Sequence, residues 1–475
     1  MKVSNTLSGQ KEEFTPGGDV VRFYVCGMTP KFHPHVGHAR IFVAADVMRR
    51  YLEYRGYRVH HVQNFTDIDD KIIARAEQEH KPPAEVAREY SDSYFEAMDR
   101  LNVLRAHEYP TVTGVMAGII EFVQALIERG YAYAADGDVW FSVERFPDYG
   151  ALSGRQETLD ESLVGVRKEL EPGKRDARDF ALWKSAKPGE PAWDSPWGPG
   201  RPGWHIECST MVRATLGDTI DLHSGGQDLI FPHHENERAQ SEARTGEPFV
   251  RYWAHVGLVT TNGEKMSHSL LNFRTVQDVL AVYEPMALRL YLLQTHYRSP
   301  LAFREDALAA AGRGLARLRA AAEPPGEVAG DGAGGAGAAG ATTSAAAGEA
   351  RQRFDAAMDD DFNTPAALGA LFDLASEINR RRTAARQGDA AAAAELPALQ
   401  ATLRELAGVL GLDLAGGESG ATEAAAEPFV DLLLEVRREL RAAKQWALAD
   451  RIRDGLRERG VVVEDHPTGS TWRFE

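Results

Sequence analysis

Apolar and polar positions over residues 20–64 predict a strand, a helix and a second strand. The run Val20–Val25 is β-branched and aromatic, which is typical of a buried strand. From His38 to Gly56 apolar residues recur at helical spacing, and residues 57–64 return to a strand pattern. Because a strand, a helix and a strand in this order form a βαβ unit, the pattern indicates a parallel sheet.

A second unit of the same kind is predicted far downstream. Residues 220–223 have a short strand pattern that ends in the glycine turn Ser224-Gly225-Gly226, and Pro232 is a favourable first residue for the next helix. Residues 110–202 separate the two units and contain a strand-like stretch at 138–143. We therefore expect an α/β nucleotide-binding fold that is divided by an insertion.

The last third of the chain has a different pattern, because helical spacing dominates it. Residues 329–348 contain sixteen Ala or Gly in twenty positions, which indicates a flexible loop, and residues 415–427 form a second soft stretch. The final unit has a helical pattern from residue 429 to about residue 460, and residues 461–463 and 471–474 are predicted to form a strand pair.

Composition narrows the class of protein further. The chain has 475 residues, of which 43% are hydrophobic, so two to four domains with a sizeable core are expected. No run approaches the roughly 18 apolar residues of a membrane helix. Cys26 and Cys208 are the only cysteines, which excludes a disulfide framework and favours the cytoplasm. The net charge of −16 excludes a globally basic nucleic-acid coat but allows a local basic face.

Two sequence features are suited to phosphate binding. His35 and His38 flank Gly37 at the start of the first helix, where free N–H groups and the helix dipole attract anions. Lys265-Met266-Ser267-His268-Ser269 follows Asn262-Gly263, which favours a hairpin turn, so a lysine there could close over phosphates. The alternatives are two structural histidines and a solvated loop lysine.

A further group could hold a metal. Cys26, Cys208, His233 and Glu237 supply thiolates, an imidazole and a carboxylate, and four such ligands fill the tetrahedral shell of zinc. His233 and Glu237 are four residues apart, which places them on one face of a helix. The alternative is that the two cysteines are buried structural residues, since no local zinc-finger spacing joins them.

Several long motifs resemble, in the same order, those of class I cysteinyl-tRNA synthetases over nearly the full chain. They are Tyr24-Val25-Cys26-Gly27, the HIGH-like His35-Val36-Gly37-His38, residues 64–71, 203–209 and 228–237, the KMSKS-like residues 265–269, residues 357–365, and the tail at 444–472. This resemblance implies an α/β fold: a class I Rossmann-like parallel-sheet catalytic domain split by an insertion, then a helical bundle and a small C-terminal domain.

The resemblance also implies a division of the chain into six segments. They are the first half of the catalytic domain with the HIGH-like motif (1–109), a connective insertion (110–202), the second half with the zinc ligands and KMSKS-like loop (203–300), a helical domain with the Ala/Gly-rich loop 329–348 (301–414), a linker (415–427) and an anticodon-recognition domain (428–475).

The same resemblance implies a role for each site residue. One zinc ion per chain would be held by Cys26, Cys208, His233 and Glu237. The cysteine substrate would be bound by Gly27, Thr66, Trp204, His223, Asp228 and His234. ATP, with Mg²⁺, would be bound by His35, Gly37, His38, Lys265, Met266, Ser267, His268 and Ser269. The catalytic residues among these would be His35, His38, Lys265 and His268.

The implied activity is that of a cysteine–tRNA ligase. L-cysteine and ATP would give cysteinyl-adenylate, and the cysteine would pass to the 3′ end of tRNA(Cys), with zinc selecting the thiol. A cytoplasmic monomer that contacts no membrane is expected. The tail is less acidic than the whole chain and carries clustered arginines at 437, 438 and 441. The rings of Trp446 and Trp472 are candidates for stacking on unpaired bases, unless both pack the small domain.

Three departures from the family pattern concern the handling of ATP. His268 stands where the family has the second KMSKS lysine, Leu271 replaces a glycine, and residues 29–32 read Thr-Pro-Lys-Phe where many relatives have Thr-Val-Tyr-Asp. Two other functions stay open at this point. One is a ligase that joins cysteine to an amino sugar and lacks the last domain, and the other is a non-catalytic paralogue that binds tRNA or senses zinc.

Overall fold

The computed structural model describes residues 1–156, 172–261, 264–265, 273–323, 344–415, 419–457, 461–466 and 469–474. The chain divides into two compact units. The first contains Met1–Ala281 and Pro285–Ala415, and the second contains Val282–Glu284 and Gly416–Glu475. Within the described ranges, no helix is both long and apolar enough to cross a membrane.

The described residues contain fifteen strands in five sheets and fourteen α-helices. The strands are β1 (Lys2–Asn5), β2 (Gln10–Glu13), β3 (Val20–Val25), β4 (Arg58–Gln63), β5 (Ala132–Ala135), β6 (Asp138–Phe141), β7 (Phe180–Ser185), β8 (Gly200–Pro202), β9 (Ile220–Gly226), β10 (Val250–Val256), β11 (Val259–Thr261), β12 (Glu264–Lys265), β13 (Leu301–Ala302), β14 (Val461–His466) and β15 (Gly469–Phe474). The helices are α1 (Val36–Tyr54), α2 (Asp70–Glu79), α3 (Pro83–Arg100), α4 (Met116–Glu128), α5 (Trp204–Leu216), α6 (Glu235–Thr245), α7 (Val276–Leu280), α8 (Pro285–Leu293), α9 (Glu305–Ala322), α10 (Ala345–Asp359), α11 (Thr364–Arg386), α12 (Ala390–Val409), α13 (Ser419–Ala442) and α14 (Trp446–Arg457).

The central sheet confirms the predicted parallel arrangement. Its order is β10–β9–β3–β4, and every neighbouring pair of strands is parallel. Tyr24 of β3 lies in register with His223 of β9, and the Cys26 N–H donates to the carbonyl of Ser224 at 3.0 Å. The fold therefore brings together the carboxyl ends of two strands that are far apart in sequence, at the sheet edge where ligands bind in such folds.

The insertion forms its own antiparallel sheet, in the order β5–β6–β7–β8. Trp183 of β7 is fully buried in the hydrophobic core that also contains Trp253 of β10. Cys26 and Cys208 belong to the same core. The insertion therefore packs directly against the residues beneath the predicted metal site.

The helix predicted to start at Pro232 follows the extended Phe231, and it opens with a π-helical turn before the α-helix. Residues 230–234 form a single π-helical turn, and α6 begins at Glu235. Phe231 is extended, with φ −135° and ψ 132°, as expected for a residue that precedes proline. His233 and His234 therefore lie in this turn, and Glu237 lies in the first turn of α6.

Two predictions about soft segments need correction. The predicted loop 329–348 ends in helix, because α10 begins at Ala345; its residues 329–343 lie outside the described residues. The predicted linker 415–427 is largely helical, because α13 begins at Ser419. Alanine, which is frequent in both segments, has the highest helix propensity, so a composition that suggests a linker also suits a helix.

The predicted helical pattern of the C-terminal unit is confirmed over its described residues, where it is divided between α13 and α14. Lys444, between the two helices, has a φ of +59°. A left-handed residue turns the backbone out of the helical path, so α13 ends before it. The predicted strand pair is confirmed, because β14 and β15 form an antiparallel hairpin.

Candidate active site

Four residues predicted as metal ligands meet at the carboxyl edge of the central sheet. Cys26 follows β3, Cys208 lies in α5, His233 lies in the π-helical turn, and Glu237 lies in α6. Each is at most 5% exposed. One donor atom from each residue lies within 4.8 Å of the donor atoms of the other three. The fold therefore assembles a buried set of two thiols, one imidazole and one carboxylate.

The distances in this donor cluster suit a tetrahedral ion. The two Sγ atoms are 3.8 Å apart, and the Cys26 Sγ lies 3.4 Å from Glu237 Oε1. His233 Nε2 lies 2.9 Å from the same carboxylate oxygen. Two thiolates bound to one zinc at about 2.3 Å in a tetrahedron are about 3.8 Å apart. The sulfur separation thus matches shared coordination and is too long for a disulfide.

The ionisable groups of the donor cluster shift one another's pKa values. Burial lowers the pKa of His233, but Glu237 and Cys208 outweigh burial and raise that pKa to about 10. The hydrogen bond from Cys26 lowers the pKa of the Cys208 thiol to about 6, while burial raises the pKa of Cys26. Burial also opposes ionisation of Glu237, but His223 and His233 hold its pKa well below the usual range. Protons are therefore distributed among groups that a divalent cation would bind in deprotonated form.

A second set of donors shares two members with the first. Cys26, His223, His234 and Glu237 also lie within 4.8 Å of one another. His223 Nε2 is 3.0 Å from Glu237 Oε2, and His234 Nε2 is 3.3 Å from Cys26 Sγ. The sequence predicted these two histidines as part of the cysteine pocket. The structure places both against the donor cluster.

Hydrogen bonds continue from the cluster to the start of the chain. His234 Nδ1 pairs with His255 Nε2 at 2.8 Å, and His255 Nδ1 pairs with the hydroxyl of Thr6 at 2.7 Å. On the other side, His205 Nδ1 lies 2.9 Å from His233 Nδ1. Both ring nitrogens of His233 and both ring nitrogens of His234 therefore have a polar partner, and these contacts fix the orientation of the two rings.

Three of these contacts were not found from sequence. His255 and Thr6 lie in no motif, and Glu207 next to Cys208 was not given a role. Glu207 is 2% exposed, and it accepts a hydrogen bond from the Thr66 hydroxyl at 3.3 Å. A buried carboxylate beside a predicted ligand would have been a usable signal, because such a group needs a partner. For His255 the signal was its place in a strand beside the one carrying His223.

The remaining predicted pocket residues differ in their contacts and in their exposure. A Cβ on Gly27 would lie 1.6 Å from the carbonyl oxygen of Asn64, so glycine is required there. The ring of Trp204 stacks on His233 with a centroid distance of 4.3 Å and remains 37% exposed. Asp228 is exposed in the short turn Gln227–Leu229, and a Cβ on Gly226 would lie 2.5 Å from its Oδ1.

His35 and His38 form a stacked pair at the start of α1. Their ring centroids are 3.7 Å apart. The N–H of His38 donates to His35 Nδ1, and the N–H of His35 donates to His38 Nδ1, both at 3.2 Å. Because each Nδ1 accepts a hydrogen bond, the proton of each neutral ring is on Nε2. Each ring thus has a distal donor suited to a phosphate oxygen.

Of the KMSKS-like residues 265–269, the structure describes Lys265. Lys265 lies in β12, which pairs antiparallel with β11 through Thr260, while the predicted turn residues Asn262 and Gly263 lie outside the described residues. Met266, Ser267, His268 and Ser269 lie outside the described residues.

Gly37, in the HIGH-like motif, lies beside the histidine pair, and a Cβ there would come within 2.8 Å of His35 Cε1.

The two tryptophans of the C-terminal unit have different environments. Trp446 is 55% exposed, with the guanidinium of Arg441 6.0 Å from its ring centroid. Trp472 packs against the small core of that unit, and its Nε1 donates to Asp431 at 2.9 Å. Arg437, one of the three clustered arginines, is 2% exposed. Trp446 is the more exposed of the two rings and therefore the better candidate for stacking on a base.

Family models match most of the chain. The model for tRNA synthetases class I (C) catalytic domain matches residues 14–313, and a DALR domain model matches residues 353–415. The Cysteinyl-tRNA ligase anticodon binding domain model matches residues 426–473.

Close relatives cover the full chain. The "Cysteine--tRNA ligase" of Moorella thermoacetica is 52% identical over 480 residues and covers 100% of both chains. The protein of that name from Pelotomaculum thermopropionicum is 49% identical, covering 100% of this chain and 99% of its own.

Solved structures of other synthetases share the fold. Mycobacterium tuberculosis methionyl-tRNA synthetase in complex with methionyl-adenylate has a TM-score of 0.61 at 17% identity, covering 88% of this chain and 94% of its own. This likeness confirms the predicted class I α/β fold.

Proposed function

Because the chain belongs to the class I cysteinyl-tRNA synthetases, we propose that its buried donor cluster binds zinc and selects cysteine for activation with ATP. Membership makes the chain a ligase for cysteine and tRNA. The alternatives of an amino-sugar ligase and a non-catalytic paralogue do not fit relatives named for this ligase that match over the full length. The observation that carries the proposal is the cluster of two thiols, an imidazole and a carboxylate.

The chemistry of the donors favours the set of Cys26, Cys208, His233 and Glu237 as the ligands. It contains two thiols, whereas the set with His223 and His234 contains one, and soft sulfur ligands favour zinc over harder ions. A zinc ion held by these four residues would have to take the substrate thiolate as an additional ligand, which serine cannot match because its alkoxide does not form at neutral pH.

The residues around the cluster would position the amino acid. Trp204 stacks on His233 and would close the pocket by packing, while the carboxylate of Asp228 would bind the ammonium group. Gly27 and Thr66 lie at the carboxyl ends of β3 and β4 and would line the pocket floor, with His223 and His234 as polar neighbours. These assignments rest on the arrangement of the side chains around the donor cluster.

The two steps need no protein nucleophile. The carboxylate oxygen of cysteine attacks the α-phosphorus of ATP, the bond to pyrophosphate breaks, and the pyrophosphate leaves with the electron pair. The Nε2 donors of His35 and His38, the segment containing Lys265 and His268, and Mg²⁺ would stabilise charge on the phosphates. A ribose hydroxyl of the tRNA 3′ end then attacks the activated carbonyl, which releases AMP.

The C-terminal unit would bind tRNA(Cys) at its anticodon. The exposed ring of Trp446 beside Arg441 is suited to stacking on an unpaired base. A matched pair of variants tests this: Trp446→Ala should raise the KM for tRNA about tenfold, while Leu448→Ala, an exposed apolar residue on the same helix, should not. An equal effect of both would contradict a stacking role. We also propose a monomer acting in the cytoplasm.

The main experiment measures metal and selectivity together. Purified protein should contain one zinc per chain, catalyse cysteine-dependent exchange of pyrophosphate into ATP, and charge tRNA(Cys) with cysteine but not serine. Chelation of zinc should abolish the exchange, and added zinc should restore it. Protein that exchanges pyrophosphate equally well without zinc would contradict the metal-based selection of cysteine.

A further inference from the structure

The loop between β3 and α1 is held in place by its neighbours. The ring of Phe32 lies nearly parallel to that of Tyr90, with centroids 6.0 Å apart. His33 Nδ1 pairs with the hydroxyl of Ser93 at 2.7 Å. Lys31 is therefore carried on an anchored segment, and it is half-buried. It stands where many relatives have tyrosine.

A second lysine lies above the amino-acid end of the site. Lys71 is in the first turn of α2, where its N–H donates to the capping carboxylate of Asp69 at 2.7 Å. Its Nζ lies 5.7 Å from the ring centroid of Trp204, the same ring that stacks on His233. The ammonium of Lys71 is thus separated from the donor cluster by a single aromatic ring.

The positive charge of Lys71 affects the pKa of Lys31. Burial lowers the pKa of Lys31, and the charge of Lys71 lowers it further, while Asp69 opposes this in part. Within the part of the chain that the structure describes, neither ammonium lies within 4.0 Å of a carboxylate. Two neighbouring cations without a direct ion pair repel each other, and a bound anion removes that repulsion.

We propose that Lys31 and Lys71 together bind the phosphates of ATP beside Trp204. The proposal rests on the proposed function and deepens it, because the carboxylate of cysteine must meet the α-phosphate close to the amino-acid pocket. Negative charge builds on the phosphate oxygens as the pyrophosphate leaves, and two ammonium groups stabilise that charge without any proton transfer.

Four variants separate this role from general effects of charge. Lys31→Met and Lys71→Met each remove one ammonium, Lys31→Arg keeps the charge, and Lys31→Tyr restores the residue of many relatives. The control is Lys81→Met, which removes a lysine already paired with Glu79 and Glu89 near the other end of α2. Zinc content and thermal unfolding of each variant show whether its fold is intact.

The first measurement is the dissociation constant of ATP with Mg²⁺, by equilibrium dialysis without cysteine or tRNA. Loss of one charge-assisted contact should weaken binding about tenfold in Lys31→Met, Lys71→Met and Lys31→Tyr. Lys31→Arg should stay within about threefold of the unmodified protein, and Lys81→Met should be unchanged. In pyrophosphate exchange the KM for ATP should follow the same order, with the KM for cysteine nearly constant.

Two results would overturn the inference. One is unchanged ATP binding in both Lys31→Met and Lys71→Met. The other is a raised KM for tRNA with unchanged KM for ATP, which would assign the two lysines to the phosphodiesters of the tRNA end. A chain whose ATP binding depends on Lys31 but which exchanges no pyrophosphate with cysteine would refute the proposed function and leave the phosphate site standing.

Discussion

The proposed amino-acid end and the proposed phosphate end of the candidate active site are built in opposite ways. At the amino-acid end, Cys26, Cys208, His233 and Glu237 are buried and contact one another. At the phosphate end, the donors of His35 and His38 stand at a half-exposed helix start, and Lys31 is half-buried in a loop. The four residues of the donor cluster thus contact one another without a substrate, whereas a bound phosphate would bring the groups at the phosphate end into one set of contacts.

This difference has a physical reason. A site that distinguishes sulfur from oxygen must hold its ligands within a few tenths of an ångström, and buried side chains that hold each other do so. A site that binds a triphosphate gains from cations that remain accessible to its ligand, because negative charge builds on the phosphate oxygens during the reaction. The predictions below test each end against the other.

The largest effect is expected from Cys208→Ser. Loss of one thiolate should lower zinc occupancy and reduce kcat/KM for cysteine about a thousandfold, because the ligand shell loses one of its two sulfurs. The affinity for ATP should remain within about twofold. Metal analysis and pyrophosphate exchange measure both. A variant that still prefers cysteine over serine normally would show that selection does not depend on this thiol.

At the phosphate end, His38→Asn and His38→Gln form a matched pair. Asn keeps an acceptor for the His35 N–H but lacks the distal donor, so kcat for exchange should fall about a hundredfold. Gln keeps a distal N–H and should lose less. The KM for cysteine should stay nearly constant in both. An equal fall in kcat for both variants would indicate that His38 caps α1 and does not contact a phosphate.

A smaller effect concerns pH and His268. The reference pKa of histidine is about 6.5 and that of lysine about 10.4, so at pH 7.5 a free histidine is mostly neutral. We expect bound ATP to favour the cation of His268, so the rate of pyrophosphate exchange should fall as pH rises and the cation is lost. His268→Lys should flatten the alkaline limb of the exchange profile. His268→Ala should depress the whole profile, and an alkaline limb that neither change alters would exclude this role.

The smallest effect is expected from Thr6→Val, at the far end of the contacts that orient His234. Removing one hydrogen bond to His255 costs about 1 kcal/mol, which corresponds to about a fivefold rise in KM for cysteine. ATP binding should not change. A loss as large as that of Cys208→Ser would mean that the hydroxyl of Thr6 acts in catalysis and does not only position the rings.

The sequence predicted the parallel sheet and the meeting of Cys26 with Cys208. The parallel sheet follows from a local pattern, since a βαβ unit fixes parallel pairing. The meeting of the two cysteines was implied only by the resemblance to cysteinyl-tRNA synthetases, since no local spacing joins residues 182 apart. The resemblance assigned His233 to the metal and His223 and His234 to the cysteine pocket, but the sequence could not show that all three rings lie within 4.0 Å of Glu237, because that depends on the π-helical turn before α6. The same holds for His255, which reaches the site only through the pairing of β9 with β10.

Cys26 and Cys208 are 182 residues apart, on opposite sides of the insertion. A zinc ion shared by them would act as a cross-link that closes a very long loop, and the entropy that such a link removes from the unfolded chain grows with loop length. The ion could bind only after the ribosome has delivered both halves of the sheet. We therefore expect zinc to affect the order of folding, with refolding from denaturant faster and more complete when the metal is present.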